Sequence, residues 1–170
     1  MIKIHTLAVL KNEISVYHDL YKERTRTIKN YQSPLNKLQD ELYETEEKLK
    51  VIKSPGKSDG LGGFVQDSID KYNMLIDKKD GLKKDIVSYI QANEKQFLKE
   101  VKSWDERIES VQYYFSIMDI LDKKFIEDFY YNLTKQQCME RYNITNNKSL
   151  YRKRDNILRG LLEKQERTRE

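Results

Sequence analysis

The sequence predicts an all-α protein: an N-terminal long antiparallel helical hairpin of coiled-coil type, followed by a small C-terminal helix-turn-helix bundle. Three observations predict it. Apolar residues recur at three- and four-residue spacing along most of the 170 residues, no run alternates with period two, and proline stands only at 34 and 55. Hydrophobic residues make up 38% of the chain and charged ones 35%. That balance suits helices with thin apolar stripes and a large solvated surface better than one broad core.

Residues 4 to about 30 read as a first helix, with Leu7, Leu10, Ile14, Tyr17 and Tyr21 on one side. Ser33-Pro34 is expected to restart the chain, serine as the cap and proline at the first helical position, where its missing N–H costs nothing. Leu35, Leu38, Leu42, Leu49 and Ile52 then form a narrow stripe flanked by charge, which needs a partner helix to bury it. Residues 54–63 hold four of the six glycines and are expected to form the hairpin loop. Within them Gly56-Lys57-Ser58 resembles the end of a phosphate-binding loop. The first glycine of that motif would fall at Val51, and no buried strand precedes it, so the phosphate reading fails.

Beyond the loop Val65, Ile69, Tyr72, Leu75, Ile76, Leu82, Ile86, Tyr89 and Ile90 keep helical spacing, with Gly81 a weak point. The pattern continues through Phe97, Val101, Trp104, Ile108, Val111, Phe115 and Met118. Folding this segment back on Leu35–Ile52 buries both stripes. From Asp119 the apolar density rises, and helices near 122–132, 134–142 and 147–163 are expected to pack as a compact unit. The expected organisation is an arm over 1–118, a helix-turn-helix domain over 119–163 and a charged tail over 164–170.

The formal net charge of +4 is unevenly spread. Thr134–Glu170 carries ten Lys and Arg against five Asp and Glu, leaving twenty-two against twenty-three for residues 1–133. The whole positive excess lies in the C-terminal segment, the footprint of a phosphate-binding surface. Other chemistry finds little support. Cys138 is the sole cysteine, His5 and His18 lack a metal-ligand spacing, and carboxylates interleave with lysines, as in Glu44 to Lys48 and Asp80 to Lys84. No nucleophile–base pair or metal cluster is apparent, so an enzyme, a cofactor or a metal site is not expected. The apolar run at 1–10 ends at Lys11-Asn12-Glu13, too short for a membrane span and with no cleavage site after it. The expected location is the cytoplasm.

Leu133 to Arg154 reads as a short helix, a polar turn and a second helix rich in basic and amide side chains. Thr134 suits the N-cap of the first helix, and Cys138 and Tyr142, four apart, face the core. Asn143 tolerates the positive φ that the turn requires, Ile144 plugs the turn, and Thr145 or Asn146 caps the second helix. On that helix Leu150, Ile157, Leu158 and Leu161 form the buried side. Asn147, Lys148, Ser149, Tyr151, Arg152 and also Asp155 are left outside. Amide and guanidinium groups make bidentate contacts to base edges, which singles out Arg152 as the base reader. Lys135, Gln136, Lys153 and Arg159 are expected at phosphates, where they set register without reading sequence.

Leu133-Thr134, Gln137-Cys138-Met139 and Tyr142-Asn143-Ile144-Thr145 resemble the promoter-reading region 4 of sigma factors. Phage-encoded regulators of Gram-positive hosts, of the ArpU and RinA late-gene activator types, share that motif. Ser54-Pro55, Ser58-Asp59-Gly60 and Gly62-Gly63, followed by Asp67 and Asp70, are similar to the loop of their N-terminal hairpins. Where those proteins carry glycine this chain has Asn143, and its turn is one residue longer, which rotates the second helix by about 100°. The resemblance implies a regulator of phage or prophage transcription in a bacterial host cell. It would bind double-stranded DNA, and its arm would dimerise or contact host RNA polymerase. A packaging protein like a small terminase subunit, or a coiled-coil assembly protein, is the competing expectation.

Overall fold

The computed structural model describes Ile4, residues 6–52 and residues 62–167. Among these the protein is helical and holds no strand. Helix α1 spans Leu7–Val51 and pairs with α2, Gly62–Ile117. Helix α3 (Ile120–Glu127) runs on into a π-turn over Asp128–Asn132, followed by α4 (Lys135–Arg141) and α5 (Asn147–Arg167). No described helix is long and apolar enough to cross a membrane. The chain forms two compact units, one of residues 25–101 and one of residues 1–24 with 102–170.

The first unit is an antiparallel helix pair. The ring of Tyr31 stacks on that of Phe97, with centroids 4.1 Å apart, and Tyr89 Oη donates to the Tyr31 carbonyl at 2.9 Å. Further along, Lys48, Val51 and Ile52 share a groove with Lys71, Met74 and Leu75. Two helices shield only the seam between them, so Leu82 and Thr45 are the only buried residues among the described side chains of this unit.

Two expectations are corrected here. The restart at Ser33-Pro34 does not occur, because α1 passes through Pro34 without a break. Proline deprives the Asn30 carbonyl of its helical donor, but Asn30 is exposed and water can replace that bond. Next to it, the Tyr31 carbonyl gains the Tyr89 hydroxyl. Residues 54–61 of the expected loop at 54–63 lie outside the described residues, and its last two positions, Gly62 and Gly63, belong instead to α2. Gly81 leaves α2 uninterrupted.

The second unit contains the main core. Leu10, Ile14, Val111 and Tyr114 from the long helices join Phe125, Ile126, Cys138, Leu150, Leu158 and Leu161 in one buried cluster. The bundle of α3, α4 and α5 is therefore completed by residues well before 119. Arg107 forks onto Glu13 at 2.9 and 3.0 Å, and Lys11 Nζ meets Asp155 at 2.8 Å. The single proton of Tyr114 Oη is shared between Gln165 Oε1 at 2.6 Å and the Ile4 carbonyl at 3.0 Å. Gln165 is buried within α5, so the charged tail expected from 164 is replaced by helix as far as Arg167.

Candidate nucleic-acid interface

The turn between α4 and α5 is fixed from both ends. Thr134 forms a reciprocal capping box with Gln137: the Thr134 hydroxyl accepts from the Gln137 amide at 3.3 Å, and Gln137 Oε1 accepts from the Thr134 amide at 2.9 Å. Asn143 takes φ 52°, and the following amide of Ile144 donates to the Met139 carbonyl at 2.8 Å. This is a left-handed helix end with asparagine in place of glycine. Of the two possible caps for α5 it is Asn146 that acts, its Oδ1 accepting from the Ser149 amide at 2.8 Å.

Beneath the turn lies a residue that sequence reading missed. Asp128 is buried in the π-turn, where its carboxylate accepts the Tyr142 hydroxyl at 2.7 Å and Asn132 Nδ2 at 3.2 Å. Arg141 stands 3.4 Å away. Burial by itself would raise the Asp128 pKa, but the Tyr142 and Asn132 hydrogen bonds and the charges of Arg141 and Lys124 hold it below the usual carboxylate value. The Tyr142 hydroxyl, half-buried and bonded to that carboxylate, is pushed up to about 12. The π-turn itself closes with the Leu133 amide donating to the Asp128 carbonyl at 3.0 Å. Nothing in the local sequence announces it.

The phase of α5 follows from its apolar residues. Leu150, Leu158 and Leu161 are buried and Ile157 is half-buried, as expected. The opposite face exposes Lys148, Ser149, Arg152, Lys153, Asn156 and Arg159, with Asn147 exposed at the helix start. Lys135 and Gln136 are exposed on the first turn of α4. Among the described residues no carboxylate comes within ion-pair distance of Lys135, Lys148, Arg152, Lys153 or Arg159. Gln136 differs in having a partner, since its Nε2 donates to Glu140 Oε1 at 3.1 Å. Lys153 also lies over the rings of Phe125 and Tyr142, 4.9 and 5.1 Å from their centroids. Its ammonium therefore rests over two rings of the bundle while the residue as a whole stays exposed.

Two residues expected outside are held by the bundle. Tyr151 is half-buried, edge-on to Phe129 with centroids 5.8 Å apart, and Lys135 and Arg154 sit over its ring at 5.3 and 5.0 Å. Its position on α5 borders the buried stripe, and the aromatic cluster of the π-turn draws it in. Asp155 is part-buried between Lys11 and Arg154 Nη2, the latter at 2.6 Å. Burial would raise its pKa, but those two cations keep it lowered. Sequence reading also passed over Asn156, one turn beyond Arg152 and three residues before Arg159. That spacing was the available signal.

Cys138 is fully buried, and burial raises its thiol pKa, so it packs as a small apolar group rather than as a nucleophile. Among the described residues no group of three His, Cys, Asp or Glu side chains converges as metal ligands would. Comparison with protein-family models, curated proteins and solved structures finds no match to this chain.

Proposed function

We propose that the protein is a non-catalytic, sequence-specific DNA-binding regulator of transcription that lays the exposed face of α5 into the major groove. The observation that carries this reading is the set of five cations along α4 and α5 (Lys135, Lys148, Arg152, Lys153 and Arg159) that have no ion partner among the described residues, interleaved with Asn147, Ser149 and Asn156. Cations held apart from carboxylates remain available to phosphates, and amides and guanidinium groups at the front of a recognition helix suit base edges. Arg152 takes the central base contact. Lys135, Lys148, Lys153 and Arg159 contact the backbone on either side of it, and Gln136 reaches a phosphate only on leaving Glu140.

The same reading makes residues 25–101 an arm for dimerisation or for touching host RNA polymerase, and it places the protein in phage or prophage late-gene control inside a bacterial cell. Gel shifts on promoter fragments test it. Wild-type protein should retard specific fragments, and the Arg152→Ala/Lys153→Ala variant should lose at least tenfold in affinity. Equal retardation by both proteins, or none by the wild type at low salt, would overturn the reading.

A further inference from the structure

A cleft of about 460 Å³ opens between α1, α2 and the segment of α3 and the π-turn, a size that suits a small molecule. Phe115, buried, and Tyr17 and Tyr131, half-buried, give it aromatic walls. Tyr17 meets Phe115 edge-on with centroids 5.7 Å apart, and His18 meets Tyr131 edge-on at 4.3 Å. Lys123 and Glu127, one helical turn apart on α3, line the same cleft and are both half-buried. No ion pair joins them, and among the described residues neither pairs elsewhere. Lys123 Nζ lies instead 5.9 Å from the centroid of the Phe115 ring. Lysine ahead of glutamate is the weaker order for an i,i+4 pair, so each charge stays available to a ligand.

We infer that this cleft binds a free α-amino acid with an aromatic side chain, which acts as an effector of the DNA-reading turn. The charges select the ligand class. A lone anion such as phosphate would meet Glu127 and a lone cation would meet Lys123, whereas a zwitterion satisfies both. Cβ atoms one turn apart on a helix stand about 5–6 Å from each other. One ammonium and one carboxylate on a single carbon can therefore reach both side chains at once. A ring attached to that carbon then packs on Phe115, Tyr17 and Tyr131 in the offset or edge-on arrangements that aromatic groups favour.

Asn132 connects the cleft to the turn. It lines the cleft from the π-turn, a backbone feature frequent at functional sites, and its Nδ2 donates to Asp128 Oδ1 at 3.2 Å. The other Asp128 oxygen accepts the Tyr142 hydroxyl. A ligand ammonium shared between Glu127 and Asn132 Oδ1 holds that amide in place on Asp128, and through Tyr142 it steadies the start of α5. Ligand and DNA should therefore strengthen each other's binding by the same factor, about fivefold or more. This effector role rests on the DNA reading, whereas the binding site itself does not.

Calorimetric titration of the full chain with phenylalanine, tyrosine and tryptophan tests the site, with phenylacetate and phenethylamine as probes that each lack one charge. Phenylalanine should bind saturably, and each one-charge probe at least tenfold more weakly. Glu127→Gln should weaken phenylalanine about tenfold without weakening phenylacetate, and Lys123→Met should weaken phenylalanine about tenfold without weakening phenethylamine. No saturable binding of any of the three amino acids, equal affinity for phenylalanine and both one-charge probes, or phenylalanine binding unmoved by both variants would each overturn the site. Gel shifts with and without phenylalanine test the effector role. Wild type should bind promoter fragments more tightly with the ligand, and Asn132→Ala should lose that gain while still binding phenylalanine. Saturable ligand binding with unchanged DNA affinity overturns the effector role alone. Ligand binding without any DNA binding upholds the site and overturns the regulator.

Discussion

The Tyr142 hydroxyl donates to the buried Asp128 carboxylate at 2.7 Å, tying the C-cap residue of α4 to the π-turn fourteen residues earlier. The bond fixes the exit of α4, and with it the start of α5. Asp128→Asn keeps the shape but removes the charge that Tyr142, Asn132 and Arg141 share, and should cost about 1–3 kcal/mol. Tyr142→Phe should cost about 1 kcal/mol. Urea denaturation of the two variants checks both values, and the loss should be greater for Asp128→Asn.

The same carboxylate sets a pH dependence. The pKa values of Asp128 and Asp155 are lowered in the folded protein, so each contributes stability that is present above the unfolded value near 3.9 and lost as pH falls through the folded one. Tyr142 works in the opposite direction. Its folded pKa, about 12, exceeds the unfolded value near 10, so its contribution is full below pH ~10 and fades as pH rises through 12. Thermal melts across pH should show the wild-type advantage over Asp128→Asn narrowing below pH ~4.

Gly81 lies inside α2, and a Cβ built there meets nothing within 4 Å. Gly81→Ala should therefore stabilise the protein by about 1 kcal/mol by removing glycine's excess backbone entropy from a helix interior. A rise of about 2–4 °C in melting temperature is the expected readout. Gly160, equally open within α5, should respond the same way.

Cys138 should resist thiol reagents in the native protein and react at once in denaturant, since burial both shields it and raises its pKa. Timed labelling with and without urea checks this. Rapid native labelling would mean that α4 leaves the bundle.

Much of this fold is legible in the sequence because it is written in period: the stripes of both long helices, the Thr134 cap, the positive φ at Asn143 and the buried side of α5 all follow from spacing and residue type. What escaped depends on contacts distant in sequence. Proline at 34 is locally a stop signal, and α1 passes through it because the Asn30 carbonyl it frees is exposed to water and the next carbonyl, that of Tyr31, accepts from Tyr89 on the partner helix. Asp128 reads as one more surface acid until the π-turn draws it inward. Tyr151 lies on the border of the apolar face, and the Phe129 ring decides its side. The outward face of α5 is legible because Leu150, Leu158 and Leu161 leave the helix one way to sit.

The central claim is that the exposed face of α5 reads duplex DNA, and selection from a randomised duplex library at about 0.1 M salt tests it most directly. Wild type should enrich a defined motif, with log affinity falling against log salt at about 0.9 per phosphate contact. Lys148→Ala should lower that slope by about 1 without changing the motif, whereas Arg152→Ala should relax one position within it. Failure of the wild type to enrich any motif, or an unchanged motif and affinity with Arg152→Ala, would contradict the account.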